Sequence, residues 1–101
     1  MSPKTPHVKL IEFDFTQTDH SVEEYQRRIV DKVSDLDISI LINNAGFMRP
    51  GDFERVSMED HRSMIDVGIM PATMLTKLLT DKMLKRKNKR TAVMFVSSVQ
   101  A

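Results

Sequence analysis

At 101 residues the chain has the length of one small domain, and its 15 Lys plus Arg against 14 Asp plus Glu give a net charge of +1, which argues against a general polyanion binder. It contains no cysteine, so a disulfide framework and a thiolate metal site are both excluded, and its three histidines, His7, His20 and His61, lack the short helical spacing of a metal site. No stretch approaches the roughly 18 consecutive apolar residues that span a bilayer, and the start "MSPKTPHVK" has no apolar centre of a secretory signal.

The first element in chain order is "VKLIEFDF", residues 8 to 15, whose Val, Ile, Leu and Phe predict a strand ending near Asp14. A helix is expected next. Ser21 and Glu24 have the S-x-x-E spacing of a capping box, after which Val22, Tyr25, Ile29 and Val33 recur on one face. Glu23 with Arg27 and Glu24 with Arg28 suit its exposed side. "ISILI", residues 38 to 42, is a short continuous apolar run, as in a parallel strand buried on both faces. It runs into Asn43-Asn44-Ala45-Gly46, residue types that tolerate unusual backbone angles and commonly form turns.

Ser57 and Asp60 repeat the capping signal before a long helical pattern in which Leu75, Leu79 and Met83 sit four apart beside Met74 and Leu78, a stripe expected in the core. Gly68 and Pro71 interrupt it, and because Pro71 has no N–H for the carbonyl four residues back, a kink is expected there. "KRKNKR", residues 85 to 90, follows as the solvated end of that helix, where cations complement its dipole; nucleic-acid contact is the competing reading of this run alone and is not adopted. "AVMFV", residues 92 to 96, is the last strand.

Strand, helix, strand, helix, strand implies an α/β fold with a parallel sheet, in which ligands gather at the carboxyl ends of the strands. Polar residues stand directly after each apolar run: Asp14, then Asn43 to Gly46, then Ser97-Ser98. Together they mark one candidate ligand-lining edge.

With "FDF" at 13 to 15, "NNAG" at 43 to 46, "DVGIMPATMLTKLL" at 66 to 79 and "VSS" at 96 to 98, the sequence resembles the short-chain dehydrogenase/reductase family. Within it the wording is most similar to the very-long-chain 3-oxoacyl-CoA reductase and 17-beta-hydroxysteroid dehydrogenase subgroup. The resemblance implies a partial Rossmann-type doubly wound parallel sheet, the family's third to fifth strands with two intervening helices, as the central part of a single NAD(P)-binding domain over residues 1–101, truncated at both ends. It implies that Asp14 hydrogen-bonds the adenine ring and Phe15 offers its backbone. Asn43, Asn44, Ala45 and Gly46 would stabilise the sheet and lie against the adenine ribose. Ser98 would hydrogen-bond the substrate carbonyl, with Ser97 as the fallback. The cofactor implied is NADP, with NAD as the alternative; the partner is a small carbonyl or alcohol substrate, and a homo-oligomer of the complete protein is compatible with it. The compartment stays open between the cytoplasm and the cytoplasmic face of the endoplasmic reticulum.

Three departures bear on activity. No Y-x-x-x-K is present, since the only tyrosine, Tyr25, has Ile29 four residues on; Gly46, Gly51 and Gly68 cannot form a G-x-x-x-G-x-G turn; and Gly68 stands where many members place a helix asparagine. A noncatalytic remnant or binding module of the same fold is therefore the alternative to an oxidoreductase. The strand at 8 to 15 would lack its neighbours and expose backbone groups, so the chain alone is expected to be marginally stable and inactive.

Overall fold

The computed structural model describes residues 7–87 and 90–97, and its elements follow from local hydrogen bonding. Ser21 is extended and its hydroxyl accepts from the Glu24 amide at 3.1 Å, opening helix α1, Val22–Tyr25. The helical path continues as a π-turn over Gln26–Val30 and a 3-10 turn over Asp31–Val33. Only half of the capping box forms: Asp19, not Glu24, accepts from the Ser21 amide (2.9 Å), because the Glu24 carboxylate is held by Arg27 (3.1 Å) and Arg28 (2.9 Å).

Strand β1 spans Ile40–Asn43, one residue beyond the apolar run, and pairs in parallel with β2, Ala92–Phe95, in the register Ile40↔Ala92 to Asn43↔Phe95. The Val96 amide donates to the Asn43 carbonyl at 2.9 Å, which carries the ladder past the first asparagine. Between the strands lie α2, Met58–Gly68, and α3, Met70–Leu84. Ser57 caps α2 through the Asp60 amide at 3.1 Å.

The interruption falls at Ile69 (φ −115°, ψ −50°), two residues ahead of the expected kink. Pro71 is accommodated in the first turn of a new helix, where a missing N–H costs nothing, so the chain breaks upstream of the ring instead of bending at it. Bonds from the Ile69 amide to the Ile65 carbonyl (2.9 Å) and from the Thr73 amide to the Ile69 carbonyl (3.0 Å) still bridge the break.

The run at 8 to 15 is not a strand. Residues 7 to 14 have no ladder partner, since the sheet holds β1 and β2 alone among the described residues; a strand is defined by pairing, and apolar composition does not supply a neighbour. A turn follows, with the Gln17 amide donating to the Asp14 carbonyl at 3.0 Å.

Helix α3 is the hub: α2, the first helical segment and β1 all pack on it. Leu79 and Met83 are buried as the stripe predicted, with Tyr25, Val67 and Pro71. The sheet is not buried on both faces as its composition suggested: Leu41 and Asn43 turn toward α3, whereas Ile40 and Ile42 are each more than half exposed. The chain presents 8482 Å² of accessible surface, against about 5,800 Å² for a folded monomer of this mass. Among the described residues Met94, Phe95 and Val96 contribute to that excess. No helix among the described residues is long and apolar enough to cross a membrane.

Candidate functional site

Residues 14 and 15 reach the candidate edge without a strand to carry them. Asp14 opens a turn in which its Oδ1 accepts from the Thr16 amide (2.9 Å) and the Thr16 hydroxyl (2.7 Å). The hydroxyl bond, followed by the amide bond, holds the carboxyl below its ordinary value, so the side chain is an ionised acceptor near neutral pH. Both bonds use Oδ1, and the second carboxylate oxygen, Oδ2, has lone pairs with which to accept from a ligand.

On the opposite side Asn43 ends β1, and Asn44, Ala45 and Gly46 follow it. A hollow of about 450 Å³ lies between the two stretches, walled by Asp14, Phe15 and Thr16 on one side and Ala45, Gly46 and Phe47 on the other. A smaller cavity of about 140 Å³ adjoins it, sharing Phe15, Ala45 and Val67, and reaches Asn43, Asn44, Gly68 and Pro71. Six of the seven residues singled out from the sequence thus line adjoining hollows. Ser98 lies outside the described residues; Val96, at the end of β2, lines the smaller cavity.

The two asparagines are not there for turn geometry. Among the described residues only His20 and Gly51 have positive φ, so nothing in Asn43 to Gly46 needs a left-handed backbone. Asn43 instead donates its side-chain amide to the Thr76 hydroxyl at 3.1 Å, tying the end of β1 to α3. A Cβ on Gly46 would meet nothing within 4 Å, so the bare backbone leaves that wall of the hollow open. Gly68 is similarly unobstructed.

A hollow of this size, with aromatic walls, one ionised acceptor and a stretch of bare backbone, has the character of a small-molecule site. Phe13, Phe15 and Phe47, the Asp14 carboxylate and the backbone of Ala45 and Gly46 are the groups that could hold the adenosine end of a dinucleotide. For the pyrophosphate the chain has no Gly-rich turn.

Residues that sequence reasoning set aside also support this edge. Tyr25 is fully buried, and its ring stacks on Phe13 (centroids 5.5 Å) and Phe15 (6.3 Å). His20 is half-buried with its Nδ1 at 2.7 Å from the Tyr25 hydroxyl. Only the place of Tyr25 on the apolar helix face signalled its burial. The basic run is partly internal: Arg86, 13% exposed, forks onto Asp37 (2.7 and 3.3 Å), and Lys85 pairs with Asp81 at 3.0 Å. No group of three or more potential metal ligands occurs among the described residues.

Comparison with known proteins agrees with this architecture. The family description for short chain dehydrogenases matches residues 2–101. The oxidoreductase UcpA of Salmonella typhimurium is 42% identical over 57 residues, covering 56% of this chain and 22% of that protein. A putative steroid dehydrogenase 4 of Caenorhabditis elegans is 37% identical over 79 residues, 74% of this chain and 29% of its own length. A 3-oxoacyl-[acyl-carrier-protein] reductase of Synechocystis is 33% identical over 69 residues, 68% of this chain and 27% of that enzyme. The match thus spans under a third of each of these relatives. With a family match over nearly its whole length and a parallel α/β core to carry it, this chain belongs to the short-chain dehydrogenase family of oxidoreductases.

Proposed function

We propose that residues 1–101 are the central part of one NAD(P)-binding domain of a carbonyl reductase, and that the hollow between Asp14 and Gly46 is its adenosine site. The observation that carries the reading is the meeting of Asp14 and Phe15 with Ala45 and Gly46, thirty or more positions away in sequence, around one base-sized space. In this arrangement Asp14 Oδ2 accepts from the adenine amino group and the Phe15 backbone meets the ring edge. Ala45 and Gly46 lie against the ribose, while Asn43, fastened to Thr76, and Asn44 brace the strand end. Ser98 donates its hydroxyl to the substrate carbonyl. When bound, NADPH supplies the hydride that reduces that carbonyl.

The names of two relatives, a putative steroid dehydrogenase and a 3-oxoacyl-[acyl-carrier-protein] reductase, support a steroid or 3-oxoacyl ketone as substrate; the choice of NADPH rests on the sequence resemblance to the 3-oxoacyl-CoA reductase subgroup alone. This chain by itself is inactive in the proposal, because it carries no Y-x-x-x-K to deliver the proton. One observation favours the second reading, a noncatalytic binding module: Gly68 faces the smaller cavity with open space where an amide side chain would stand.

The test is titration of the isotopically labelled chain with 2′,5′-ADP and with AMP, read by amide chemical shifts. Shifts confined to Asp14–Thr16 and Ala45–Phe47, stronger for the 2′-phosphorylated ligand, are the expected result. Shifts that cluster elsewhere, or none at either site, refute the adenosine assignment; equal affinity for the two ligands refutes NADP preference alone.

A further inference from the structure

The stretch that brings Asp14 to the hollow has no sheet to hold it. Among the described residues, residues 7 to 14 make no ladder, and apart from the Lys9 ammonium on the Lys32 carbonyl their attachments to the rest of the fold run through rings. Phe13 and Phe15 both stack on Tyr25, at interplanar angles of 23° and 21°. Arg28, itself bound to Glu24, sits 4.5 Å over the Phe13 ring. After the Asp14 turn the chain returns to the same side chain, because His20, in a left-handed conformation (φ 56°), places Nδ1 at 2.7 Å from the Tyr25 hydroxyl and stacks on its ring at 5.9 Å. One buried tyrosine therefore grips residues 13 to 20 before and after the turn. Its helical segment packs on α3, and α3 packs on β1, which leads into Ala45 and Gly46.

We propose that Tyr25 is the positioning residue of this edge: its ring and hydroxyl clamp the Asp14 turn in place of strand pairing, and so set Asp14 and Phe15 across from Ala45 and Gly46. The proposal rests on the adenosine reading for its functional meaning, but the clamp itself is a claim about the turn. Tyr25 does not touch the ligand; it acts through Phe13, Phe15 and His20.

Two variants separate its parts. Tyr25→Phe keeps the ring and removes the hydroxyl, and Tyr25→Leu removes the stack as well. Amide exchange at Thr16 and Gln17 reads the turn, because those amides donate to Asp14, and exchange at Leu79 and Met83 reads the core. Tyr25 is the only tyrosine in a chain without tryptophan, so the near-ultraviolet tyrosine signal is a single-site reporter of the clamp in the wild-type protein. Loss of one neutral hydrogen bond corresponds to about fivefold, and loss of both ring stacks to more than about tenfold. Tyr25→Phe is therefore expected to weaken 2′,5′-ADP binding about fivefold and Tyr25→Leu more than about tenfold. Exchange at Thr16 and Gln17 should rise in the same order while Leu79 and Met83 stay protected.

Unchanged protection at Thr16 and Gln17 in Tyr25→Leu overturns the clamp, whatever the nucleotide does. If Tyr25→Phe strips protection from Leu79 and Met83 equally, Tyr25 is a general core residue and the positioning role is overturned. A wild-type chain that binds neither nucleotide, while both variants still free the turn, overturns the adenosine reading and upholds the clamp.

Discussion

Arg86 offers the sharpest test of how this small domain is held together. Its guanidinium donates through Nε and Nη2 to the two oxygens of Asp37 (2.7 and 3.3 Å) and through Nη1 to the Arg90 carbonyl (2.6 Å). It thereby fastens the end of α3 to the approaches of both strands. Exposed ion pairs contribute about 1 kcal/mol or less, while breaking a fully buried one costs about 3–5 kcal/mol. Arg86 is 13% exposed and Asp37 53%, so the carboxylate can be solvated when the arginine is removed, and the cost lies between these limits. We expect Arg86→Ala to cost about 2 kcal/mol, which at a urea slope of about 1 kcal/mol/M lowers the unfolding midpoint by about 2 M. The assay is urea denaturation followed by helical circular dichroism for wild type, Arg86→Ala, Asp37→Ala and the double variant. The cycle should return a coupling of about 1 kcal/mol. Because the guanidinium is shielded, most of that coupling should survive high salt. Additive single effects, or a coupling that vanishes with salt, would show that Arg86 is a solvated surface cation and that the reasoning is wrong.

Other consequences can be measured in the same preparations. Gly68→Ala places a Cβ in open space at the end of α2, and should raise stability by about 0.5 kcal/mol and the melting temperature by about 2–4 °C; a lower melting temperature would show that the site is obstructed. Burial, with the nearby Asp66 charge as a smaller cause, pushes the Tyr25 phenol up from 10.0 to about 12. The folded state thus favours the neutral phenol, so its stabilisation is complete below pH 10.0 and is lost as pH rises toward 12. In the folded chain tyrosinate absorbance should appear only as the pH approaches about 12, and Tyr25→Phe should flatten the alkaline part of the stability profile; titration of the folded chain near pH 10.0 would contradict the burial. Leu79→Ala removes a side chain that is 6% exposed from the hub helix and should cost about 2–5 kcal/mol, most of what a domain this small has. A cooperative thermal melt retained within a few degrees of wild type would refute that placement.

The helices were legible because their signals are local. Ser21 and Ser57 cap where their spacing says they should, and the Leu79–Met83 stripe is buried. The two paired strands were also readable, since β-branched runs ending in polar residues identify them without their partners. What the sequence did not show depends on neighbours distant in the chain. "VKLIEFDF" reads as a strand by composition, yet pairing needs an adjacent strand, and only β2 lies beside β1 among the described residues. Pro71 announced a disturbance, but its tolerance in a first helical turn, which moved the break to Ile69, is a matter of where the next helix begins. The gathering of Asp14, Ala45 and Gly46 was anticipated from the alternation of strands and helices, and Phe15 from the family resemblance alone. Its support by Tyr25 and His20 was not, because a helix residue and a loop histidine five positions apart carry no motif.

The register of the sheet also bears on how the chain folds. Ile40 meets Ala92, so roughly half the chain must be drawn into a closed loop before a single ladder bond can form, and that entropy is recovered only when the intervening segment is already compact. We therefore expect nucleation in the contiguous helix pair, with β1 zipping onto β2 as a late event. Slowing the collapse of Met58 to Leu84 should slow strand association with it, whereas weakening the ladder should chiefly hasten its opening.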